Sequence, residues 1–260
     1  EMIIGLFDSG VGGITVLYDA LKTIKDAGFL YYADTENVPY GTRTKEEVRG
    51  YVLDAADFLV RQGAGVLVIA CNTATSVAIE DLRRKYVIPV IGMEPAVKPA
   101  VENHKDKRIL VTATALALKE EKLKKLITRL DCEDIVDLLP LPGLVRFAEN
   151  MEFDNSPVSA YLQDELSRFD MSRYQTVVLG CTHFIYFRPV FRTLLGLEID
   201  IIDGNRGTVN KLAATLADLG VPPAGDGKIT WYRSGAEISD METLAEFDML
   251  LKMADSTEKA

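Results

Sequence analysis

A chain of 260 residues, 48% apolar and 26% charged, has enough to bury for two α/β lobes and carries a net charge of -10. The negative balance argues against a nucleic-acid surface, because binding phosphates takes clustered Lys and Arg, and no apolar run reaches the ~18 residues of a membrane span. Three cysteines form an odd set without disulfide-framework spacing, and no basic stretch with a signal-type apolar core opens the chain, so the expectation is reduced thiols in a cytoplasmic protein.

Met2–Phe7 reads as a buried strand, and Asp8-Ser9-Gly10-Val11-Gly12-Gly13 as a glycine-rich turn into a helix over 14–24. The turn is neither a dinucleotide fingerprint nor a P-loop, since G-x-G-x-x-G is absent and no Gly-Lys-Ser/Thr follows. It reads as an anion cradle with Asp8 and Ser9 at its lip. A strand over 29–32 leads to a polar loop over 34–44. There Tyr40 and Gly41 offer a hydroxyl and a closely approaching backbone, or serve as plain punctuation.

A packing helix over 46–62 precedes Gly65–Thr73 (GVLVIACNT), a β-branched strand that ends in Cys71 and passes into a helix to about Tyr86. A short strand over 88–92 and a crossover over 93–99, marked by Pro95 and Pro99, follow. After the charged segment 102–108 a second series begins: strand 109–112, helix 119–130, strand 135–139, segment 144–150 carrying Glu149, and helix 158–168. Thr176–His183 (TVVLGCTH) repeats the thiol pattern with Cys181. A helix over 186–195, a strand over 197–202, a helix over 209–219, a strand over 228–233 and a helix over 244–253 complete the chain, with a polar tail over 254–260 expected to fray. The order predicts an α/β fold of two similar lobes with mostly parallel central sheets, and the site in the cleft between them.

Both thiols stand just past the carboxyl end of a strand, where open α/β sheets bind ligands. Each also opens a helix, whose dipole lowers a thiol pKa from about 8.5. The plain alternative is a small apolar filler at a strand end. The repeated setting, with Asn72, Thr73, Thr182 and His183 alongside, favours two matched proton carriers. With a small amino acid between them, one thiolate removes the α-proton from one face while the opposing thiol delivers a proton to the other. General acid–base help of about 10²–10⁴ is too little for so weak a carbon acid, so the site must add fixed donors and exclude water.

Asn72, Thr73, Thr182 and the glycine turn are the donor candidates. Asp8 is placed to take a proton from Cys71, and His183 to serve Cys181; their plain readings are a turn cap and a helix-start residue. Glu149 is a third candidate, or an exposed helix residue. Cys132, between Asp131 and Glu133, reads as structural. Competing readings are a thiol redox protein, though no C-x-x-C is present, and an anion-binding module that does not use the thiols. A zinc site of Cys71, Cys181 and His183 lacks a fourth ligand and a pyridoxal enzyme lacks a lysine in any site motif, so neither metal nor cofactor is expected.

FDSGVGG at Phe7–Gly13, PYGTRT at Pro39–Thr44, ACNTA at Ala70–Ala74 and GCTHF at Gly180–Phe184 together resemble the glutamate racemases of the aspartate/glutamate racemase superfamily. The resemblance implies cofactor-independent interconversion of L- and D-glutamate, supplying D-glutamate for peptidoglycan, with Cys71 acting on the D- and Cys181 on the L-enantiomer. It implies assisting roles for Asp8, His183 and Glu149, and substrate contacts at Ser9, Tyr40, Gly41, Asn72, Thr73 and Thr182. It also implies a homodimer, and a chain that returns to its first lobe, giving residues 1–96 with 208–260 in one lobe and 97–207 in the other. One departure stands out. Family members often carry a threonine and then a serine after an Ala-Thr pair, whereas this chain has Ala113-Thr114-Ala115-Leu116-Ala117-Leu118. Thr114 keeps one contact, and aspartate or a related acid stays open as substrate.

Overall fold

The structure, a computed structural model, describes residues 2–103, 107–153, 155–220 and 227–258. The first half runs β1 (Ile3–Asp8), α1 (Ile14–Thr23), β2 (Gly28–Ala33), α2 (Lys45–Arg61), β3 (Ala64–Ile69), α3 (Asn72–Lys85) and β4 (Val90–Gly92). The second runs α4 (Val97–Asn103), β5 (Arg108–Ala113), α5 (Ala115–Lys119), α6 (Glu121–Arg129), β6 (Val136–Pro140), α7 (Pro142–Glu149), α8 (Asn155–Leu166), β7 (Tyr174–Leu179), α9 (Arg188–Leu195) and β8 (Asp200–Asp203). The chain ends with α10 (Asn205–Leu219), β9 (Ile229–Arg233), β10 (Ala236–Glu237) and α11 (Met241–Glu258).

The strands form a six-stranded sheet in the order β10-β9-β2-β1-β3-β4 and a four-stranded sheet in the order β6-β5-β7-β8. All pairings are parallel except β9 with β10. The series β2-β1-β3-β4 and β6-β5-β7-β8 share one order, and both central pairings skip a residue at the same place, after Ile3 and after Arg108. The two lobes are thus one architecture used twice, although no residue-level repeat beyond the thiol strands announces it. β9 returns the chain to the first sheet, in register with β2.

Strand alternation assigns the core. Ile4 and Leu6 face a cluster with Ile14, Leu17, Phe184, Phe187 and Phe247 that reaches into the second lobe through Leu110, Val177 and Leu179. Phe7 faces α2 and α3 through Val48, Val52, Leu59 and Ala78. α2 starts where a capping box demands it, with Thr44 accepting from the Glu47 N–H and the Glu47 carboxylate accepting from the Thr44 N–H.

Several boundaries differ from the sequence reading. Pro99 belongs to the first turn of α4, where a missing N–H costs nothing, so the crossover is shorter than its prolines suggest. Segment 144–150 is mostly the helix α7, which Pro142 opens. The stretch after Cys181 is a 3-10 helix, Thr182–Phe187, before α9 begins. The tail over 254–260 does not fray at its start: α11 continues to Glu258, burying Ala254 and Thr257. Residues 259–260, like 104–106 of the charged segment, lie outside the described residues.

Candidate functional site

Asp8 ends β1, and Cys71 and Cys181 each lie two residues past the ends of β3 and β7. In both sheets this is the carboxyl edge beside the point where strand order reverses, which opens a crevice for a ligand. Cys71 and Cys181 line one cavity of about 1030 Å³, shared with Ser9, Tyr40, Gly41, Thr73, Thr114, Glu149 and His183. Asn72 and Thr182 do not line it. Asn72 borders a smaller cavity of about 220 Å³, and its buried Nδ2 has no hydrogen-bond partner among the described residues.

The two thiols have different company. Cys71 caps α3, accepting from the Ala74 N–H at 3.4 Å, and its thiol donates to Ser9 Oγ at 3.6 Å. Burial, followed by the charge of Asp8, pushes the Cys71 thiol up to about 12; the Ala74 N–H and Ser9 hydroxyl pull the other way and are outweighed. This corrects the sequence reading, in which the helix start lowers the pKa: desolvation exceeds what one helix end supplies. Cys181 Sγ lies 3.7 Å from His183 Nδ1, and His183 Nε2 lies 2.5 Å from Glu149 Oε1. Burial opposes the imidazolium, but hydrogen bonds and charge from Cys181 and Glu149 hold His183 well above the usual imidazole range.

Asp8 is fully buried, and desolvation raises it to about 6 against the pull of His183 and of backbone N–H groups. Its carboxylate accepts from the Gly10 N–H at 3.0 Å and the Thr182 hydroxyl at 3.1 Å, with no hydrogen bond to Cys71 among the described residues. The glycine turn therefore differs from an open anion cradle. Its N–H groups hold the protein's own carboxylates, Gly10 to Asp8 and Val11 to Glu149 at 2.8 Å. A Cβ on Gly10 would stand 1.8 Å from Glu149 Oε1, and one on Gly12 would stand 2.5 Å from His183 Nδ1. Close approach is what these glycines supply.

The loop over 34–44 is equally committed. Tyr40 donates its hydroxyl to Asp34 at 2.5 Å, and Gly41 packs on Thr114. Thr114 shares a 2.7 Å hydrogen bond with Thr73 and caps α5 by accepting from the Ala117 N–H. Sequence reasoning missed Asp34, and also Tyr31 and Tyr186, whose hydroxyls donate to the carbonyls of Gly10 and Val11 and pin the turn. Aromatic residues bearing a buried hydroxyl near a glycine turn were the available signal.

Among the described residues, no group of three or more His, Cys, Asp and Glu is arranged to hold a metal ion, and no helix is long and apolar enough to cross a membrane. Two thiols, each with its own acid–base surroundings, face one cavity; such an arrangement can take a proton from one side of a carbon and return one to the other.

Comparison with known proteins agrees with that arrangement. A sequence profile of the family described as Asp/Glu/Hydantoin racemase matches residues 20–212. The chain belongs to this family. It is 49% identical to glutamate racemase 2 of Bacillus subtilis (strain 168), over 100% of this chain and 98% of that one. It is 52% identical to the glutamate racemase of Halothermothrix orenii, over 96% and 99%. A solved glutamate racemase isoform from Bacillus anthracis superposes with a TM-score of 0.79 at 29% identity, covering 89% of this chain and 87% of that one. The family's two-lobed, mostly parallel α/β fold is the fold found here.

Proposed function

We propose that this protein is a cofactor-independent glutamate racemase that interconverts L- and D-glutamate with two thiols, supplying D-glutamate for peptidoglycan in the cytoplasm. The observation that carries the reading is the pair Cys71 and Cys181, at equivalent positions of two similar lobes, lining one cavity with unlike partners. The Cys181 thiolate, beside the His183 imidazolium, takes the α-proton of L-glutamate and becomes a thiol. Cys71, pushed up to about 12 and so protonated at rest, gives its proton to the opposite face and leaves D-glutamate and a Cys71 thiolate.

In reverse, Cys71 is the base and Cys181 the acid. Asp8 sets the charge beside Cys71, while Glu149 fixes the ring and charge of His183. Ser9, Thr73 and Thr114 face the substrate from the cavity wall, Tyr40 and Gly41 shape it, and Thr182 holds Asp8. Asn72, whose buried amide Nδ2 has no hydrogen-bond partner among the described residues, borders the smaller cavity and is given no part in this step. A homodimer is part of the proposal; a single monomeric mass in solution at working concentration rules it out.

The test is proton NMR in D₂O alongside polarimetry, on protein purified without added cofactor and given L-glutamate, for wild type, Cys71→Ser and Cys181→Ser. Wild type should lose the α-proton signal and the optical rotation together, and both variants should lose racemisation. Neither exchange nor racemisation with glutamate or with aspartate would overturn the reading. Faster turnover of aspartate than of glutamate would move the assignment to the second acid that Ala115 and Ala117 leave open.

A further inference from the structure

The smaller cavity, of about 220 Å³, shares no lining residue with the cavity of the two thiols. Its walls come from both lobes. Asn72 belongs to α3 of the first lobe, Glu94 to the crossover, and Lys122, Lys125 and Arg129 to α6 of the second lobe. Two of these residues bring buried donors that meet no acceptor. Asn72 is 6% exposed, and its Nδ2 has no hydrogen-bond partner among the described residues. Lys122 Nζ is buried likewise and makes no hydrogen bond among them, although the Glu94 carboxylate lies 3.0 Å away and balances its charge. Folded proteins leave few buried donors unpaired, because each forfeits its hydration. Two of them in one cavity define what complements it, namely acceptor oxygens.

Charge and shape narrow the class. Lys122, Lys125 and Arg129 stand at i, i+3 and i+7, on one face of α6. On most helices that spacing makes a solvated stripe, whereas here the same face walls a cavity. Against the three cations the lining sets one carboxylate, Glu94, so the cavity is locally positive in a chain of net charge -10 and attracts an anion. Met93, Pro95, Leu123 and Leu126 make the remaining wall largely apolar. The volume is several times the ~30 Å³ share of one water, yet below the ~300 Å³ at which sites for drug-sized ligands begin. A nucleotide is too large for it, and a bare phosphate leaves the apolar wall unused. A carboxylate on a compact apolar body satisfies every feature: its two oxygens accept from the amide and the ammonium, and its body covers the leucines.

We propose that this cavity is a second ligand site, which takes a small organic carboxylate with an aryl or branched apolar body, held by the Asn72 amide and the Lys122 ammonium and bridging α3 of one lobe to α6 of the other. The site stands whether or not the chain racemises glutamate. Its test is calorimetric titration of the full chain, pre-equilibrated with saturating glutamate, using benzoate as the probe, benzamide as its neutral twin and inorganic phosphate as the bare anion. Benzoate should bind with a Kd on the order of 1 mM or tighter, and the other two at least about tenfold more weakly. Lys122→Gln should weaken benzoate about tenfold, and Lys122→Arg should recover part of the loss. Asn72→Asp, which sets a carboxylate where the amide donated, should abolish binding; a melting curve for each variant shows that the fold is kept. No benzoate binding by wild type, equal affinity for benzamide, or tighter binding of phosphate would overturn the proposal, as would unchanged affinity in Lys122→Gln. Binding seen only without glutamate would overturn it too, because benzoate would then occupy the cavity of the thiols.

Discussion

Replacing Asp8 by Asn should make the protein more stable at neutral pH while stopping its chemistry. The carboxyl has no exposed surface, and burial raises its pKa from 3.8 to about 6 although His183 and the N–H groups of Gly10 and Gly13 favour the charge. At about 1.4 kcal/mol per pH unit, holding Asp8 ionised in the fold costs ~3 kcal/mol at pH 7. An amide fits the same place: its oxygen accepts from the Gly10 N–H, and its NH₂ donates to Thr182 Oγ1, whose hydroxyl turns from donor to acceptor. Because the folded pKa is raised, the carboxyl's stabilising contribution is fully present below its unfolded value and is lost as pH rises through about 6. The advantage of D8N should therefore be near zero below about pH 4, grow between about pH 4 and 6, and level off near ~3 kcal/mol by pH 7. Urea unfolding of both proteins across that range, with unchanged m, reads it directly. An advantage absent at pH 7, or independent of pH, would refute the claim that the fold carries this charge at a cost for the sake of the site.

Further outcomes follow from the same geometry. Glu149→Gln removes the charge that helps hold His183 high, so the alkaline limb of kcat/KM, where the imidazolium beside Cys181 is lost, should move down by about one pH unit. Stability should change with the matching sign: the wild-type His183 contribution is full below the ordinary imidazole pKa and fades as pH rises through the raised one, so the wild-type advantage shrinks at alkaline pH. Gly10→Ala forces Cβ against Glu149 Oε1 and should cost about 1–3 kcal/mol in thermal or urea unfolding, with activity falling as the Glu149–His183 contact opens. Thr114→Ala takes the cap from α5 and a partner from Thr73; about 1 kcal/mol of stability and a higher KM for glutamate should go with it.

What the sequence made legible was local. Each thiol strand is a β-branched run ending in Cys and a small polar residue, and that pattern alone placed Cys71 and Cys181 at the carboxyl ends of β3 and β7. Helix boundaries were read well where capping or periodicity is strong, as at Thr44, and poorly where proline or a 3-10 turn intervenes, as at Pro99 and Thr182. The function of the glycine turn was not legible. Its N–H groups meet the carboxylates of Asp8 and of Glu149, and the second lies 138 residues from Val11 along the chain, beyond any window of local pattern. The direction of the Cys71 pKa was misread for a related reason. A helix end is visible in sequence, whereas full burial beside another carboxylate is a product of the assembled lobes.

The unlike settings of the two thiols raise a question of symmetry. Enantiomers have equal free energy in water, so the equilibrium constant is one, and kcat/KM for L- and D-glutamate must be equal at every pH whatever surrounds Cys71 and Cys181. Unlike settings can appear only in kcat and KM separately, which must differ between enantiomers by the same factor. A substitution near one thiol therefore changes kcat/KM alike in both directions, and kcat/KM cannot assign a thiol to an enantiomer. Half-reactions can. With Cys71→Ser, Cys181 still removes the α-proton of L-glutamate, and its sulfur exchanges with D₂O whenever return of the proton is slower than that exchange. L-glutamate should then lose its α-proton slowly and keep its rotation, while D-glutamate stays intact; Cys181→Ser should give the reverse. Following each enantiomer separately by NMR measures this. Equal exchange of both enantiomers by either variant would show that neither thiol is confined to one face, against the placement of Cys71 and Cys181 at the carboxyl edges of separate sheets.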